Sequence, residues 1–373
     1  MRKYLLTTTA VTAFAFAMWA TGASAAGKWD GGDDLPTNPL ECGAGAPAPA
    51  APMKYDGAQP TNPPNLAGKE ITVVDVPKLI GIGYFNATSK GIADAAKELG
   101  NVKAKTDGPT EAKIDEQIKF IDNYITSGVN GILFAANDPV AIAPVLKKAL
   151  SNGIHVIGYD ANSTPDAREW FVNQSPFNGI AKAMMDAMAK EIGEDGAFGI
   201  VTSTFTTPNQ ARWIAEMQTY AAKCHPKMQW LETVEAQEDN VLSFNQATTL
   251  INKYGDKLKG LFGMTSVATP ASAEAVTKAK LCGKVAVVGL ATPNAMKPYV
   301  HADCVKSVVL WNPIDLGYAA MYVMRAVVDG KLKPGDASVE AGKLGKLNVI
   351  NGSEILLGPP FIYDKGNIDK FDF

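Results

Sequence analysis

The chain has 373 residues, of which 46% are hydrophobic and 20% are charged, and its formal net charge is −3. This length is enough for two domains with cores of their own. The composition is that of an ordinary soluble globular protein. Its slightly acidic balance excludes the basic surface with which proteins bind nucleic acids or anionic membranes.

The first 25 residues have the pattern of a secretory signal peptide. Arg2 and Lys3 give a basic start, an apolar stretch covers 5–19, and Ala23-Ser-Ala25 supplies a small-residue cleavage site. A membrane anchor is the competing interpretation, but the apolar stretch is short. No later segment reaches the ~18 apolar residues of a spanning helix. We therefore expect residues 1–25 to direct export.

Residues 26–68 are rich in proline, alanine and glycine, which predicts a poorly ordered leader. Export also makes disulfides possible for the cysteines, although free buried thiols remain an alternative. Cys282 and Cys304 each precede a predicted strand of the same sheet, and neighbouring parallel strands begin at the same end. Their Cα atoms should lie within ~7 Å, so we predict a disulfide between them. The sequence has no CxxC motif and no His–Cys cluster, and we expect no metal site.

From residue 70 onward the sequence alternates between strand and helix patterns. The β-branched run 71–76 predicts a buried strand, which is followed by a loop containing Pro77 and by a helix over 88–99. Strand, loop and helix make half of a βαβ unit, and ligands of parallel sheets bind at the carboxyl ends of strands. The loop 78–86 is therefore the first candidate wall of a binding site.

The same plan recurs along the chain. Further strands are predicted at 102–105, 131–135, 155–159, 170–173, 198–202, 229–233, 260–262, 285–290 and 305–310. Helices are predicted at 111–127, 141–150, 177–192, 209–222, 241–254, 271–279, near 296, and at 314–328. This alternation indicates parallel sheets, and two lobes with separate cores are the simplest arrangement.

Six predicted helices open on a capping residue followed by proline, which suits the first helical position. The pairs are Asp138-Pro139, Ser175-Pro176, Thr207-Pro208, Thr269-Pro270, Thr292-Pro293 and Asn312-Pro313. Each pair follows a strand, so each marks a turn at a carboxyl edge of a sheet. If the two lobes face each other with these edges inward, the turns line one cleft. Helix stability alone also explains the capping.

An enzyme is the first functional hypothesis to weigh. The stretch Gly81-Ile-Gly-Tyr-Phe-Asn86 nearly matches the dinucleotide-binding fingerprint, with Asp107 further along. However, Asn86 replaces the third glycine, and two bulky aromatic residues occupy the turn. The sequence also has no nucleophile elbow, P-loop or metal motif. We therefore expect no catalytic residues and no cofactor, and keep a secreted nucleotide-dependent enzyme as the remote alternative.

Several short motifs together resemble one family. They are Pro77-Lys-Leu-Ile-Gly81, Asp107-Gly-Pro-Thr110, Tyr159-Asp160, Val172-Asn-Gln174, Asn209-Gln210 with Trp213, Thr292-Pro-Asn-Ala-Met296 with Pro298-Tyr299, Leu310-Trp311 and the tail 367–373. In this order and spacing they resemble the periplasmic sugar-binding proteins of ABC importers, in particular the branch that binds autoinducer-2 and rhamnose.

The resemblance implies an α/β fold of two doubly wound parallel-sheet lobes joined by a three-stranded hinge, the type I periplasmic binding protein fold. Such lobes close on their ligand by a hinge motion. Projected onto this chain, lobe one covers 69–161 plus 313–331, and lobe two covers 162–312 plus 332–373.

The resemblance also implies a set of ligand-binding residues. The autoinducer-2 binders use a lysine, two aspartates, a glutamine and a proline–alanine backbone pair, which fall here on Lys78, Asp160, Asn209, Gln210, Pro270 and Ser272. Asn209 replaces the second aspartate and Ser272 replaces the alanine. Asparagine donates as well as accepts hydrogen bonds, whereas an aspartate only accepts them. A sugar or polyol therefore ranks ahead of autoinducer-2 as the ligand.

Two of these residues could have a structural role instead of binding a ligand. Lys78 could be a solvated loop charge, and Gln210 could complete a capping box with Thr207. Asp160 ends an apolar strand, where a carboxylate needs hydrogen-bond donors such as sugar hydroxyls.

Aromatic residues supply further candidates. Tyr84, Phe85 and Trp311 could stack on the apolar face of a sugar ring, whereas Trp213 has the helical spacing of a core residue. Asn137 is a further candidate contact that could equally be a turn residue.

The sequence thus predicts the periplasmic substrate-binding component of an ABC importer. It would bind a monosaccharide or small polyol between its lobes and deliver it to an inner-membrane permease. An autoinducer-2 receptor for uptake or signalling is the alternative. We expect a monomer whose partners are the ligand and the permease, and no nucleic acid.

Overall fold

The structure is a computed structural model that describes residues 42–43 and 54–373. The predicted signal peptide and most of the predicted leader lie outside these residues. Within the described part of the chain, no helix combines the length and the apolar character needed to cross a bilayer.

The first half of the chain alternates strands and helices as predicted. The elements are β1 (Ile71–Val76), α1 (Gly83–Leu99), β2 (Val102–Thr106), α2 (Ile114–Ser127), β3 (Gly131–Phe134), α3 (Ala143–Ser151), β4 (His155–Tyr159) and β5 (Trp170–Asn173). These five strands pair in parallel, because a helix or a long connection returns the chain to the same end of the sheet. Strands β3 and β4 are buried along their whole length, as parallel strands covered on both faces are.

A second alternating series follows. Its elements are α4 (Phe177–Ile192), β6 (Ala197–Thr202), α5 (Pro208–Cys224), β7 (Gln229–Glu235), α6 (Asn240–Tyr254), β8 (Gly260–Gly263), α7 (Ala268–Lys278), β9 (Ala286–Leu290), α8 (Pro293–His301), β10 (Ser307–Leu310) and α9 (Pro313–Val328). Four short strands complete the chain: β11 (Ser338–Glu340), β12 (Lys346–Ile350), β13 (Glu354–Leu356) and β14 (Phe361–Tyr363).

The strands form two sheets, one in each lobe. The first has eight strands in the order β11-β12-β13-β5-β4-β3-β1-β2, and the second has six in the order β14-β10-β9-β8-β6-β7. Helix α9 follows a strand of the second sheet but packs against α1 and β4 of the first lobe. The predicted architecture of two doubly wound parallel-sheet lobes is confirmed.

The chain crosses between the lobes three times. The crossings lie between β5 and α4, between β10 and α9, and between β13 and β14. These three segments are the predicted three-stranded hinge. The first crossing follows β5 rather than β4, so the segment after Asp160 is not itself a crossing.

The lobe bounds differ from those projected from the family. Strands β5 and β11–β13 lie in the first sheet, whereas the projection assigns residues 162–312 and 332–373 to lobe two. Strand β13 pairs in parallel with β5, and β12 and β11 extend the sheet in antiparallel order. Residues that are far apart in sequence make these pairs, so no local pattern indicates them.

The end of the predicted leader is packed rather than poorly ordered. Residues 54–68 contain no helix or strand, but they lie against the first lobe. The centre of the Tyr55 ring lies 5.0 Å from that of Trp170. The guanidinium group of Arg325 donates a hydrogen bond to the Leu66 carbonyl. These contacts fix the entry of the chain into β1.

All four cysteines form disulfides. Cys282 pairs with Cys304 at a Cα–Cα distance of 4.6 Å, and these residues precede the parallel neighbours β9 and β10. Cys42 pairs with Cys224 at 5.4 Å, which ties part of the leader to the end of α5 in the second lobe.

Only half of the six cap–proline pairs begin a helix in the predicted way. Thr207, Thr292 and Asn312 are the N-caps of α5, α8 and α9. Helix α3 instead begins at Ala143, Pro176 is itself the N-cap of α4, and α7 begins at Ala268. Thr269 and Pro270 therefore lie within the first turn of α7 rather than in the preceding loop.

Candidate ligand-binding cleft

A cavity lies between the lobes, where the carboxyl ends of both sheets meet. The space outside protein atoms there, open solvent included, is about 310 Å³. The first lobe lines it with Lys78, Tyr84, Phe85 and Asp160. The second lobe and the crossing after β10 line it with Asn209, Gln210, Trp213, Glu238, Met264, Thr265, Ser266, Leu290, Leu310 and Trp311.

Seven of the ten residues predicted to bind a ligand line this cavity. They are Lys78, Tyr84, Phe85, Asp160, Asn209, Gln210 and Trp311. The other three, Asn137, Pro270 and Ser272, are not among its lining residues. The seven come from four separate segments of the chain, 78–85, 160, 209–210 and 311, so the fold alone brings them together.

Lys78 follows β1, and its side chain is only 4% exposed. Its Nζ atom lies 3.4 Å from Asp160 Oδ2 and 3.2 Å from Glu238 Oε1. Burial by itself would lower the pKa of Lys78, but the charges of the two carboxylates outweigh it, so that pKa lies above its ordinary value. Lys78 is therefore a buried, charged ammonium group and not a solvated loop charge.

Asp160 follows β4 and has a φ of +59°, in the left-handed region that residues other than glycine seldom adopt. Its Oδ1 atom accepts a hydrogen bond of 2.8 Å from the Tyr84 hydroxyl. Its Oδ2 atom is buried and makes no hydrogen bond with any described residue. Burial raises the pKa of Asp160, while the Lys78 charge and the Tyr84 hydroxyl oppose this shift. Beside its ion pair with Lys78, this oxygen can accept a hydrogen bond from a ligand hydroxyl.

Tyr84 and Phe85 lie in the first turn of α1, because this helix begins at Gly83 and not near residue 88 as predicted. The Trp311 Nε1 group donates a 3.0 Å hydrogen bond to the Tyr84 hydroxyl, which in turn donates to Asp160. The Trp311 and Tyr84 rings meet edge to face, with centres 6.0 Å apart. This chain of hydrogen bonds orients the Asp160 carboxylate from the hinge side of the cleft.

Asn209 and Gln210 lie in the first turn of α5. Asn209 Oδ1 accepts a 3.1 Å hydrogen bond from the backbone N–H of Gln210. The NH₂ group of the Asn209 side chain can therefore still donate to a ligand. Gln210 Oε1 is buried and has no hydrogen-bond partner in the described part of the chain. Thr207 makes no side-chain capping bond to α5 within the described residues. The capping-box alternative for Gln210 is therefore not formed.

Glu238 lines the cavity but was not predicted. It follows β7 in a loop where Gln237 and Glu238 both have positive φ, +51° and +56°. The Gln237 amide donates to the Ser203 carbonyl, which fixes this loop to the end of β6. The position of Glu238 just beyond the carboxyl end of a parallel strand is the signal that could have indicated it.

Trp213 was predicted to be a core residue, and its ring is indeed buried with an exposed fraction of 1%. The prediction is incomplete, because the same ring lines the cavity and its centre lies 5.7 Å from that of Trp311. Its Nε1 group has no hydrogen-bond partner among residues 42–43 and 54–373. Trp213 therefore adds a buried donor to the cleft.

The three remaining candidates have other positions. Asn137 donates a 2.8 Å hydrogen bond to the Lys78 carbonyl, so it holds the loop that carries the lysine. Pro270 and Ser272 lie in α7, whose early start moves them away from the loop. Thr265 and Ser266, which precede α7, line the cavity in their place.

The cleft thus combines one ammonium group, two carboxylates and several aromatic rings. Carboxylates and amide oxygens accept hydrogen bonds from hydroxyl groups, and aromatic faces pack on apolar ring surfaces. Across the described residues, no group of three or more histidine, cysteine, aspartate or glutamate side chains is arranged to hold a metal ion. The arrangement is suited to binding a small molecule with several hydroxyl groups.

Known proteins resemble the chain along most of its length. Residues 73–332 match a family model described as periplasmic binding protein domain. A D-ribose/D-allose-binding protein of Pseudomonas aeruginosa is 29% identical over 195 residues, which cover 50% of this chain and 60% of that relative. The alignment therefore spans less than two thirds of the relative.

Two solved structures share the fold. An ABC transporter solute binding protein from Clostridium phytofermentas with bound L-rhamnose has a TM-score of 0.77 and 29% identity, over 81% of this chain and 98% of that one. LsrB from Clostridium saccharobutylicum in complex with AI-2 also has a TM-score of 0.77, with 22% identity, over 81% of this chain and 100% of that one.

Proposed function

The chain belongs to the periplasmic binding protein family, and we propose that it is the substrate-binding component of an ABC importer. It binds a monosaccharide or similar small polyol between its lobes and delivers it to an inner-membrane permease. The observation that carries this proposal is the cavity at the junction of the two sheets, where buried carboxylates and unpaired polar atoms lie beside aromatic rings.

The chemistry of the cavity supports a small ligand with several hydroxyl groups. Asp160 Oδ2 and Gln210 Oε1 can accept hydrogen bonds from hydroxyl groups, and the Trp213 Nε1 group can donate to a hydroxyl oxygen. A ligand that satisfies all three atoms removes the cost of burying them without a hydrogen bond, about 1–3 kcal/mol each. The ribose/allose-binding and rhamnose-bound relatives are consistent with this ligand class.

Calorimetry with a panel of neutral monosaccharides tests the proposal. D-ribose, D-allose, L-rhamnose and D-arabinose are titrated into the purified protein, and native mass spectrometry searches for a co-purified ligand. We expect one sugar to bind with one-to-one stoichiometry and to raise the melting temperature, because only the folded state binds it. A protein that carries no ligand and binds no sugar of the panel would contradict the proposal.

Small-angle X-ray scattering tests the binding mechanism separately. Since the ligand contacts both lobes, its binding should draw them together and reduce the radius of gyration. The Asp160→Asn variant at the same sugar concentration is the matched control and should change less. Identical scattering profiles for the wild type with and without saturating sugar would argue against closure about the hinge.

An autoinducer-2 receptor is the second candidate. It is favoured by Lys78, Asp160 and Gln210, which match the family pattern and line one cavity. The likeness to the AI-2-bound structure supports only the fold. Asn209 departs from the pattern, which ranks this candidate below a sugar. AI-2 in the same calorimetric panel separates the two.

The proposal includes a periplasmic location and a monomeric state. Residues 1–25 supply the export signal in this interpretation, and the paired cysteines are compatible with an oxidising compartment. The N-terminal sequence of protein recovered from the periplasm should begin after Ala25, and light scattering should give the mass of one chain. Intact Met1 or a dimer mass would contradict these two points.

A further inference from the structure

We infer that Glu238 is a specificity-determining residue that keeps acidic sugars out of the cleft. This inference rests on the proposed function and extends it from a small polyol to an uncharged one. Glu238 is absent from the ligand set that the family resemblance implies, and its side chain lines the cavity from the second lobe.

The backbone holds Glu238 in the cleft despite an unfavourable conformation. Gln237 and Glu238 both adopt positive φ, which is costly for residues with a side chain. The Ala236 and Gln237 amides donate to carbonyls at the end of β6, and Asp239 caps α6 through the Leu242 amide. Hydrogen bonds on both sides therefore fix a loop that places the Glu238 carboxylate inside the cavity.

The charges in the cavity do not balance. Lys78 Nζ lies between Asp160 Oδ2 and Glu238 Oε1, at 3.4 Å and 3.2 Å, and all three side chains are almost fully buried. One carboxylate is enough to neutralise the ammonium group, so the second leaves the ionised cluster with one net negative charge. Of the described residues that line the cavity, Lys78 is the only one with a positive charge.

This imbalance acts against an anionic ligand. A carboxylate or phosphate is usually recognised by arginine or lysine groups that are free to bind it. Here the one ammonium group already lies between two carboxylates, and a third anion would meet like charges in a buried site where their repulsion is strong. Neutral hydroxyl groups instead donate to the carboxylate oxygens. Specificity of this kind arises from repulsion of the wrong ligand.

A purely structural role for Glu238 makes a different prediction. If the protein needs Glu238 to neutralise Lys78, removing its charge should destabilise the fold, because a buried ion loses its partner. If Glu238 is instead the surplus charge, Asp160 still pairs with Lys78 and a repulsion between two carboxylates is relieved. The ligand-free protein should then keep or raise its melting temperature.

The experiment compares the wild type with Glu238→Gln and Glu238→Asp. Glu238→Gln removes the charge and keeps the shape, whereas Glu238→Asp keeps the charge. Glu340→Gln removes the same charge from the exposed edge strand β11 and is the matched control. Each protein is titrated with D-glucose, D-galactose and D-mannose, and with the uronate of each sugar, in which a carboxylate replaces the hydroxymethyl group.

The wild type, Glu238→Asp and Glu340→Gln should bind a neutral sugar at least about a hundredfold more tightly than its uronate. In Glu238→Gln this ratio should fall by about tenfold or more. A wild-type protein that binds a uronate as tightly as its neutral sugar would overturn the inference. So would an unchanged ratio in Glu238→Gln.

Melting temperatures of the ligand-free proteins give a second test that needs no bound sugar. Glu238→Gln should melt at or above the wild-type temperature, and Glu340→Gln close to it. A large decrease confined to Glu238→Gln would assign Glu238 to the structure and overturn the inference, whatever the sugar panel shows. If none of these sugars binds, nor any sugar of the panel that tests the proposed function, and Glu238→Gln is stable, the result counts against the proposed function alone.

Discussion

The two walls of the cleft differ in how their polar groups are bonded. On the first-lobe wall, Tyr84 donates to Asp160 and accepts from Trp311 of the crossing after β10, so this side is held in place before a ligand arrives. On the second-lobe wall, Gln210 Oε1 and Trp213 Nε1 are buried and, as far as the described residues extend, have no partner. The first wall is therefore largely preorganised, with only Asp160 Oδ2 left without a hydrogen bond among the atoms named here, whereas Gln210 and Trp213 on the second wall have bonding capacity that a ligand must use.

The hydrogen bonds that lie behind the two walls and hold them in place differ as well. Behind the first wall, Asp75 in β1 accepts hydrogen bonds from the Tyr159 and Thr106 hydroxyls. Behind the second wall, the Thr269 hydroxyl bonds the Leu290 carbonyl and thereby joins α7 to β9. The Asp75 carboxyl behind the first wall can ionise, whereas the Thr269 hydroxyl behind the second wall cannot. The two walls should therefore respond differently to pH.

The largest effect that we predict concerns Asp75. Burial raises the pKa of this carboxyl to about 7 in the folded protein, from an ordinary value of 3.8, although its two hydroxyl donors oppose the shift. A raised carboxyl pKa means that the folded state retains a proton that the unfolded state has lost. The free energy of unfolding should therefore fall as pH rises from about 4 to 7, by on the order of 3–4 kcal/mol from this group.

Asp75→Asn tests this prediction, because it removes the ionisation and keeps the shape. In urea titrations at pH 4, 6 and 8, its stability relative to the wild type should increase with pH. Asp94→Asn, at an exposed carboxylate on α1, should show no such trend. A constant difference between Asp75→Asn and the wild type across this range would show that Asp75 is ionised in the fold at low pH.

Asp160→Asn should weaken sugar binding by roughly ten- to a hundredfold, which corresponds to the loss of one hydrogen bond to a charged group. Asparagine tolerates the left-handed backbone at this position, so the variant should fold. Its amide group replaces an acceptor with a donor, which then faces the Lys78 ammonium group. Calorimetry on the folded variant measures the change, with Asp94→Asn as the control. Unchanged affinity would remove Asp160 from the binding site.

The sequence predicted the first wall better than the second. Lys78 and Asp160 directly follow apolar strands, so the rule for parallel sheets and the family motifs indicate the same positions. Glu238 also follows a strand, but its side chain enters the cleft because of two positive φ angles that no residue type there suggests. Trp213 has the helical spacing of a core residue, and a buried cleft has the same periodicity as a core.

Errors in the boundaries of the fold have a similar origin. The alternation of strands and helices predicts two doubly wound lobes, but the lobe to which β5 and β11–β13 belong depends on pairing between distant segments. The family resemblance made Pro270 and Ser272 candidate contacts, with Pro270 just before a helix predicted over 271–279. Helix α7 begins at Ala268, so they lie inside it. Local capping signals therefore leave the start of a helix, and the position of a site residue near it, uncertain by two or three residues.

On the preorganised wall, removal of one hydroxyl should affect stability as well as binding. Tyr84→Phe leaves Asp160 Oδ1 without its donor and Trp311 Nε1 without its acceptor, and both are buried. We expect the free energy of unfolding to fall by about 2 kcal/mol. The control is Tyr322→Phe, which removes a hydroxyl that bonds Glu98 at the surface and should change stability little. Equal effects of the two substitutions would contradict the difference in preorganisation.

On the second wall, removal of a polar group should affect binding alone. Gln210→Met replaces an amide, whose Oε1 atom has no partner in the described chain, by an apolar group of similar size. Without a ligand the variant should be as stable as the wild type or slightly more stable, because a buried unpaired acceptor is lost. Its affinity for the sugar should fall by about tenfold, the value of one hydrogen bond.

Calorimetry and melting temperatures of the same samples separate these effects, with Gln229→Met at the exposed start of β7 as the control. A destabilised variant with normal affinity would show that Gln210 supports the fold, and the contrast between the two walls would then be lost.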